Sequence, residues 1–269
     1  MSRISVIIPH FNQPIYIISA IESIFRNRFN DVQVIIADDH SPEENYVRLR
    51  FFLNYLVNKG NLNIKLFRSN VNVGAYRLKN EIINNIDTEF ITFHDADDFS
   101  MPMRLDFLYN TIRMNKKIDI LGSSYIEFFQ QKNLPNSHRV KNFYRIPYIA
   151  HMFGKKYLAF QPSQLIRFNV FCILGGFDGT TRIAADDEFL LRAIHCVKVR
   201  NIKRPLYVKI ERENSLTTSN TTGFISETRL KYVEELDNLR KSIKLNCSLS
   251  FYKNKPNDIE FKLKEIELK

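Results

Sequence analysis

The N-terminal part of the chain alternates short apolar runs with amphipathic stretches. The runs are Ile4–Pro9 (Ile-Ser-Val-Ile-Ile-Pro), Val32–Ala37, Ile64–Phe67 and Glu89–Phe93. Runs this short, without a polar alternation, are those of strands buried on both faces. Between them the apolar residues recur at helical spacing. Asn12 ahead of Pro14 reads as a helix start, and Ile17, Ile18, Ile21, Ile24 and Phe25 then share one face. Pro42 opens a second helix with Val47, Leu53 and Leu56 inward, and a third carries Leu78, Ile82, Ile83 and Ile86. Strand and helix in alternation predict a parallel sheet with helices on both sides.

Polar clusters follow the strands: Asn12, Asp38-Asp39, Asn70 to Asn72, and Asp95 to Asp98. In open parallel sheets ligands bind outside that end of the strands. After about Lys117 the pattern changes. Asp119–Phe129 and Arg200–Ile210 read as longer strands of a mixed sheet, Gly175–Gly179 as a turn-rich loop, and Asp186–Val197 as a helix with Leu190, Ala193, Ile194 and Val197 on one side. From Ile225 the chain is amphipathic and charged, predicted helical to about Leu245, with a loosely ordered Lys- and Glu-rich end. The expected fold class is α/β: a mixed, mostly parallel sheet flanked by helices, with a helical C-terminal tail. The expected division is a domain over 1–222, with halves 1–117 and 118–222, and an extension over 223–269.

Composition narrows the function. Of 269 residues 44% are hydrophobic, the fraction of a globular chain. No stretch approaches the roughly 18 uninterrupted apolar residues of a membrane span. Met1-Ser2-Arg3 runs straight into the first strand without a cleavage pattern, so a cytoplasmic protein is expected, with peripheral attachment at the inner membrane face as a further option. Cys172, Cys196 and Cys247 form no metal or disulfide pattern and read as buried free thiols. The net charge of +10 is concentrated in Lys141–Arg212, which holds 13 Lys/Arg against 5 Asp/Glu. That excess suits an anionic substrate or membrane surface; no nucleic-acid-binding signature accompanies it.

His94-Asp95-Ala96-Asp97-Asp98 carries the most chemistry. Three carboxylates at a strand mouth repel one another unless a cation sits among them. Oxygen donors suit a hard ion, Mn2+ or Mg2+, which keeps positions open for substrate phosphates. The same residues can instead form a polar turn capping the helix after Pro102. His94 reads as hydrogen-bonded structure rather than as a ligand.

Taken in order, Val6-Ile7-Ile8-Pro9-His10-Phe11-Asn12, Ile36-Ala37-Asp38-Asp39-His40-Ser41, Asn72-Val73-Gly74, the acidic cluster, Leu174-Gly175-Gly176-Phe177-Asp178 and Asp186-Asp187-Glu188-Phe189-Leu190-Leu191-Arg192 resemble the family 2 glycosyltransferases of the GT-A fold. The resemblance runs from about Ile4 to Thr218. It implies inverting transfer of a sugar from a nucleotide diphosphate, UDP by family frequency, to a glycan or lipid-linked acceptor in surface-polysaccharide (capsule or lipopolysaccharide) synthesis. It implies that Asp97 ligates the metal and that Asp95 supports it or binds ribose. Asp98 would hold the site from behind. Pro9, Phe11 and Asn12 would line the nucleoside pocket, Asp39 would accept hydrogen bonds from the base, and Asn72 and Gly74 would let the backbone approach the donor. Arg77 and Lys79 follow, one toward diphosphate and the other on a solvated face. Arg212 stands where a His is common and would grip diphosphate. Gln161-Pro162-Ser163-Gln164 resembles the acceptor side.

Inversion needs a general base on the face opposite the leaving group. The resemblance assigns it to Asp186. Ala185 replaces the family's Glu, which keeps Asp187 and Glu188 as alternatives. Two other functions compete: a sugar-phosphate nucleotidyltransferase, which would need a Gly-rich loop where Pro9-His10-Phe11-Asn12 stands, and a non-catalytic nucleotide-binding scaffold.

Overall fold

A computed structural model describes residues 2–60, 62–129, 136–211, 226–246 and 260–268. Its elements run β1 (Ile4–His10), α1 (Pro14–Phe25), β2 (Val32–Asp38), α2 (Glu43–Gly60), β3 (Ile64–Ser69), α3 (Ala75–Asn84), β4 (Phe90–Phe93), β5 (Phe99–Ser100) and α4 (Arg104–Met114). The second half continues with β6 (Ile120–Phe129), β7 (Ser137–Lys141), α5 (Pro147–Met152), a 3-10 turn (Gln161–Ser163), β8 (Leu165–Arg167), α6 (Asn169–Leu174), α7 (Ala185–Cys196), β9 (Val199–Glu211), α8 (Glu227–Asn246) and β10 (Leu263–Ile266).

The strands form one sheet of order β10-β3-β2-β1-β4-β8-β6-β9-β5, with β7 paired to β6. β3, β2, β1 and β4 are parallel, as the alternation of strand and helix requires. β8 enters antiparallel between β4 and β6, and β9 runs parallel to β6. The sheet is thus mixed, with its parallel half built from the first four strands.

Each strand alternates its side chains between two cores. Ile4, Val6 and Ile8 of β1 pack with α1, α2 and α4, while Ile7 packs with α3, α6 and α7 on the other side. On α2 the inward residues are Tyr46, Leu49, Leu53 and Leu56, and Val47 is 55% exposed. The expectation for Val47 fails because the buried set steps by three and four residues from Tyr46, and Val47 lies about 100° round the helix from it. Pro14 opens α1 as expected, but Asn12 does not cap it; Asn12 sits at φ 59 in the loop before Gln13.

Two further expectations are corrected. Cys172 and Cys196 are exposed, because both lie on the outer face of short amphipathic helices; Cys247 lies outside the described residues. The chain end also holds regular structure. Beyond the helix expected to about Leu245, residues Leu263–Ile266 pair antiparallel with β3 from Leu263↔Ser69 to Ile266↔Leu66. Leu263 joins one core and Ile266 the other, while Lys264 and Glu265 face solvent. Charged residues are common on edge strands, where they discourage further pairing, and this hid the strand in the sequence.

Candidate active site at the carboxyl ends of the parallel strands

β1 ends at His10, whose Nδ1 lies 3.0 Å from Asp38 Oδ1. Asp38 also accepts from the backbone N–H and hydroxyl of Ser41, and Ser41 Oγ accepts from the Asn12 N–H at 2.8 Å. This buried network fixes the loop after β1. It leaves Pro9 half-buried and Phe11 49% exposed at the rim rather than in the core.

Asp39 is bound to the next loop. Its two carboxylate oxygens accept the N–H groups of Val73 and Gly74 at 2.7 and 2.8 Å, and the Asn72 amide donates to the Asp39 carbonyl at 2.9 Å. Asp39, Asn72 and Gly74 are therefore one unit. Gly74 has φ 91, and a Cβ there would lie 3.3 Å from Arg182 Cγ, so the loop needs glycine. Arg182 in turn donates to the Asn72 side chain and carbonyl.

At the end of β4 the acidic cluster does not cap a helix: α4 starts at Arg104 behind Met103, with no side-chain cap. Asp98 instead accepts from the Tyr207 hydroxyl at 2.9 Å and the Ile210 N–H at 2.8 Å. The same hydroxyl accepts the Asp95 N–H at 3.1 Å. Tyr207 thus ties the cluster to β9. Burial, with the Asp95 charge next, pushes the Asp98 carboxyl well above its ordinary range. His94 is buried with Nδ1 against the Asp95 carbonyl, and burial aided by Arg104 lowers it to about 3, so it is neutral. Arg104 is itself fully buried, donating to Ser100, Thr92, Phe93 and Pro162 beneath the cluster.

Neither basic residue of α3 lies on a solvated face, contrary to expectation. The Arg77 guanidinium stacks 5.1 Å from the Phe261 ring, so the chain end covers it. Lys79 is buried, donates to Gln161 Oε1 at 2.6 Å, and lies 4.9 Å from the Phe93 ring centroid. Burial lowers its pKa, while the charges of Asp95 and Asp186 raise it. Lys79 therefore lies within electrostatic reach of both the acidic cluster and α7. Asp95 reports the same proximity: burial raises its carboxyl, Lys79 and Lys209 draw it down, and Asp186 pushes it up.

α7 begins behind Ala184, at φ 54, with three acids in its first turn and no side-chain cap. Their environments separate them. Asp186 Oδ1 accepts the Tyr76 hydroxyl at 2.6 Å, which leaves Oδ2 for another partner. Glu188 is committed elsewhere: it forms a two-point buried pair with Arg192 at 2.7 and 2.8 Å. Arg192 also donates to the Leu174 and Gly176 carbonyls, and Asn80 brackets Phe177 with two bonds of 2.9 Å. A Cβ on Gly176 would lie 2.6 Å from Asn80 Oδ1. The Gly-Gly-Phe-Asp segment is thus a pinned loop that seats α7. Glu188→Ala is expected to destabilise the fold by about 3–5 kcal/mol, as loss of one partner of a buried ion pair does. Urea unfolding measures this, and a variant with unchanged midpoint would contradict it.

Burial, then the Asp186 charge, raises Asp187 to about 7; Arg240 and Arg229 of α8 oppose the rise. The folded chain therefore holds a proton on Asp187 between its ordinary 3.8 and about 7 that the unfolded chain has released. The stability this group contributes is present in acid and lost as pH climbs through that window. Asp187→Asn is expected to leave Tm unchanged near pH 4 and raise it at pH 8, by roughly 2–4 °C for each kcal/mol relieved. A difference that does not vary with pH would refute the assignment.

Among the described residues no three or more His, Cys, Asp and Glu side chains form a ready metal cage. The donors at the cluster, Asp95 and Asp97, are oxygen-only and fit a hard divalent ion that completes its shell with phosphate oxygens and water. Arg212 lies outside the described residues. Tyr76, Tyr207, Arg104, Arg182 and Lys209 were not singled out in the sequence. Tyr76, Tyr207 and Arg182 act through partners more than 100 positions away, and no local signal marks them.

Similarity to known proteins agrees with this geometry. Residues 5–180 match the family model described as glycosyl transferase family 2. An uncharacterized glycosyltransferase of Methanocaldococcus jannaschii is 26% identical over 71% of this chain and 64% of its own. The GalNAc(5)-diNAcBac-PP-undecaprenol beta-1,3-glucosyltransferase of Campylobacter jejuni is 32% identical over 36% of this chain and 30% of its own. The chain thus covers less than two thirds of either relative. S. aureus TarS 1-349, solved with UDP-GlcNAc, superposes with a TM-score of 0.64 at 18% identity, over 80% of this chain and 60% of that one. The mannosyltransferase PcManGT of Pyrobaculum calidifontis, solved with GDP-Man and Mn2+, gives 0.58 at 15% identity, over 79% and 58%. These likenesses establish the GT-A fold class, and with the match across most of the sequence the chain belongs to glycosyl transferase family 2.

Proposed function

We propose that the protein is a metal-dependent, inverting glycosyltransferase that moves a sugar, a hexosyl group, from a nucleotide-diphosphate donor, a UDP-sugar in the first instance, to a glycan or lipid-linked acceptor in surface-polysaccharide synthesis. The observation that carries the reading is that Asp95, on the loop after β4, and Asp186, on α7, lie within electrostatic reach of one another and of the buried Lys79, with Asp186 bound to Tyr76 of α3. In-line displacement at one carbon needs a cation site for the leaving diphosphate and a base for the incoming hydroxyl at one such edge.

Phe11 at the rim stacks the base, and the Asp39–Asn72–Gly74 unit shapes the nucleoside side. Asp97 and Asp95 hold Mn2+ or Mg2+. The ion supplies Lewis-acid stabilisation of the charge that develops on the departing diphosphate. Asp186 takes the acceptor's hydroxyl proton on Oδ2, because Tyr76 occupies Oδ1. The acceptor oxygen then bonds to the anomeric carbon as the bond to diphosphate breaks, which inverts that centre. Lys79 offsets the charges of Asp95 and Asp186, and Tyr207 fixes Asp98 behind the residues that would hold the ion.

Thermal shift with UDP, GDP and CDP, each with and without Mn2+, tests the reading. A ligand at 100 times its Kd stabilises the folded state by about 2.7 kcal/mol. A Mn2+-dependent rise with one nucleotide supports the reading; no rise with any of them refutes it. Release of nucleoside diphosphate from a donor panel then identifies the sugar.

A further inference from the structure

Residues 128–177 contain seven Lys/Arg and no Asp or Glu. Within that stretch α5 and the loop after it build a projecting apolar surface. Pro147, Ala150 and His151 face inward, with the His151 ring 5.3 Å from that of His195 on α7. Tyr144, Tyr148, Ile149 and Met152 face outward. Gly154, at φ 81, turns the chain so that Phe153 and Tyr157 stand 81% and 77% exposed. A shallow depression of about 450 Å³ lies among Tyr144, Ile146, Ile149, Ala150 and Phe153. Arg145 and Lys155 rim it, and Lys155 Nζ sits 5.9 Å from the Tyr144 ring centroid. Lys156 is neutralised by Asp237 at 2.6 Å and adds nothing to the rim.

We propose that this face docks on an anionic lipid bilayer, with Phe153 and Tyr157 seated at the headgroup–acyl boundary and Arg145 and Lys155 against lipid phosphates. Aromatic side chains prefer that boundary, and long cationic side chains reach from it to the headgroups. Charge complementarity favours a membrane over a protein partner. A protein interface carries both signs at its polar rim, whereas the residues lining this depression include two cations, Arg145 and Lys155, and no carboxylate, which suits a uniformly anionic partner. α8 is engaged with the rest of the molecule instead: it turns Leu236 inward and pairs Asp237 with Lys156 and Arg240. The purpose of the contact, access to a lipid-linked acceptor, rests on the transferase reading; the binding does not.

Co-sedimentation of the full chain with vesicles tests it, using phosphatidylcholine alone and phosphatidylcholine with about one third phosphatidylglycerol. The wild-type chain is expected to pellet with the anionic vesicles only, and less as salt rises. Phe153→Ser with Tyr157→Ser should weaken this at least tenfold, and Arg145→Glu with Lys155→Glu at least as much, both variants keeping the wild-type Tm. No pelleting with anionic vesicles, or equal pelleting of wild type and variants, would overturn the proposal. So would a concentration-dependent dimer, abolished by the Phe153/Tyr157 variant, in a protein that ignores vesicles. Nucleotide-dependent thermal shift in the same samples keeps the two ideas apart, since it reports the donor site whatever the vesicles do.

Discussion

Asp186→Asn is expected to lower sugar transfer by roughly 10²–10⁴-fold, the range that a positioned general base supplies. The amide can still accept the Tyr76 hydroxyl, so the geometry of α7 survives and Tm changes little. Donor affinity, read by the Mn2+-dependent thermal shift, should stay within a few-fold of wild type, because the base acts on the acceptor. The same assay on Asp187→Asn separates the neighbours: it should retain most of the activity, since the cationic charges that bear on Asp187 are those of Arg229 and Arg240 on α8 and not that of Lys79. Full activity in Asp186→Asn would remove Asp186 as the base. Glu188 could not replace it without breaking its pair with Arg192.

The second large effect belongs to Asp97. Asp97→Asn removes a charged oxygen donor from the proposed cation site, where Lewis-acid stabilisation is worth several kcal/mol in the transition state. At about 1.36 kcal/mol per tenfold, transfer should fall by at least about 10²–10³-fold. Unlike the Asp186 variant, this one should also lose the Mn2+-dependent part of the nucleotide thermal shift, while any metal-independent part remains. The variant should still unfold in a cooperative transition without ligand, because Asp98 and Tyr207 also anchor the cluster. A wild-type Mn2+ response in Asp97→Asn would place the ion elsewhere. The pair of variants thus divides the chemistry: one removes turnover alone, the other removes turnover and metal-linked binding together.

Much of the framework was legible residue by residue. The apolar runs at Ile4, Val32, Ile64 and Phe90 became the four parallel strands, because a run without polar alternation can only be buried on both faces. The polar residues just beyond them came together at one edge because parallel strands all end on the same side. The roles at that edge were less legible. Asp39, expected to accept from a base, also holds the Val73 and Gly74 amides, which the sequence did not show. Lys79 and Arg77 sit on an amphipathic helix that gave no hint that both would be buried, one under the chain end and the other within reach of two acidic centres. Three consecutive acids in α7 look alike in sequence and differ by what each meets: a tyrosine, two arginines of α8, or Arg192.

The sequence alone determined the strand–helix alternation, the edge of the sheet where the polar residues gather, and family membership, since these depend on local periodicity and on the order of short motifs. Tertiary structure decided the partner of each α7 carboxylate, that Lys79 is buried within reach of the charges of Asp95 and Asp186, and where the last strand joins the sheet. Those depend on burial and on partners brought from distant positions, and electrostatic energies are set by such neighbours rather than by the residue's own place in the chain.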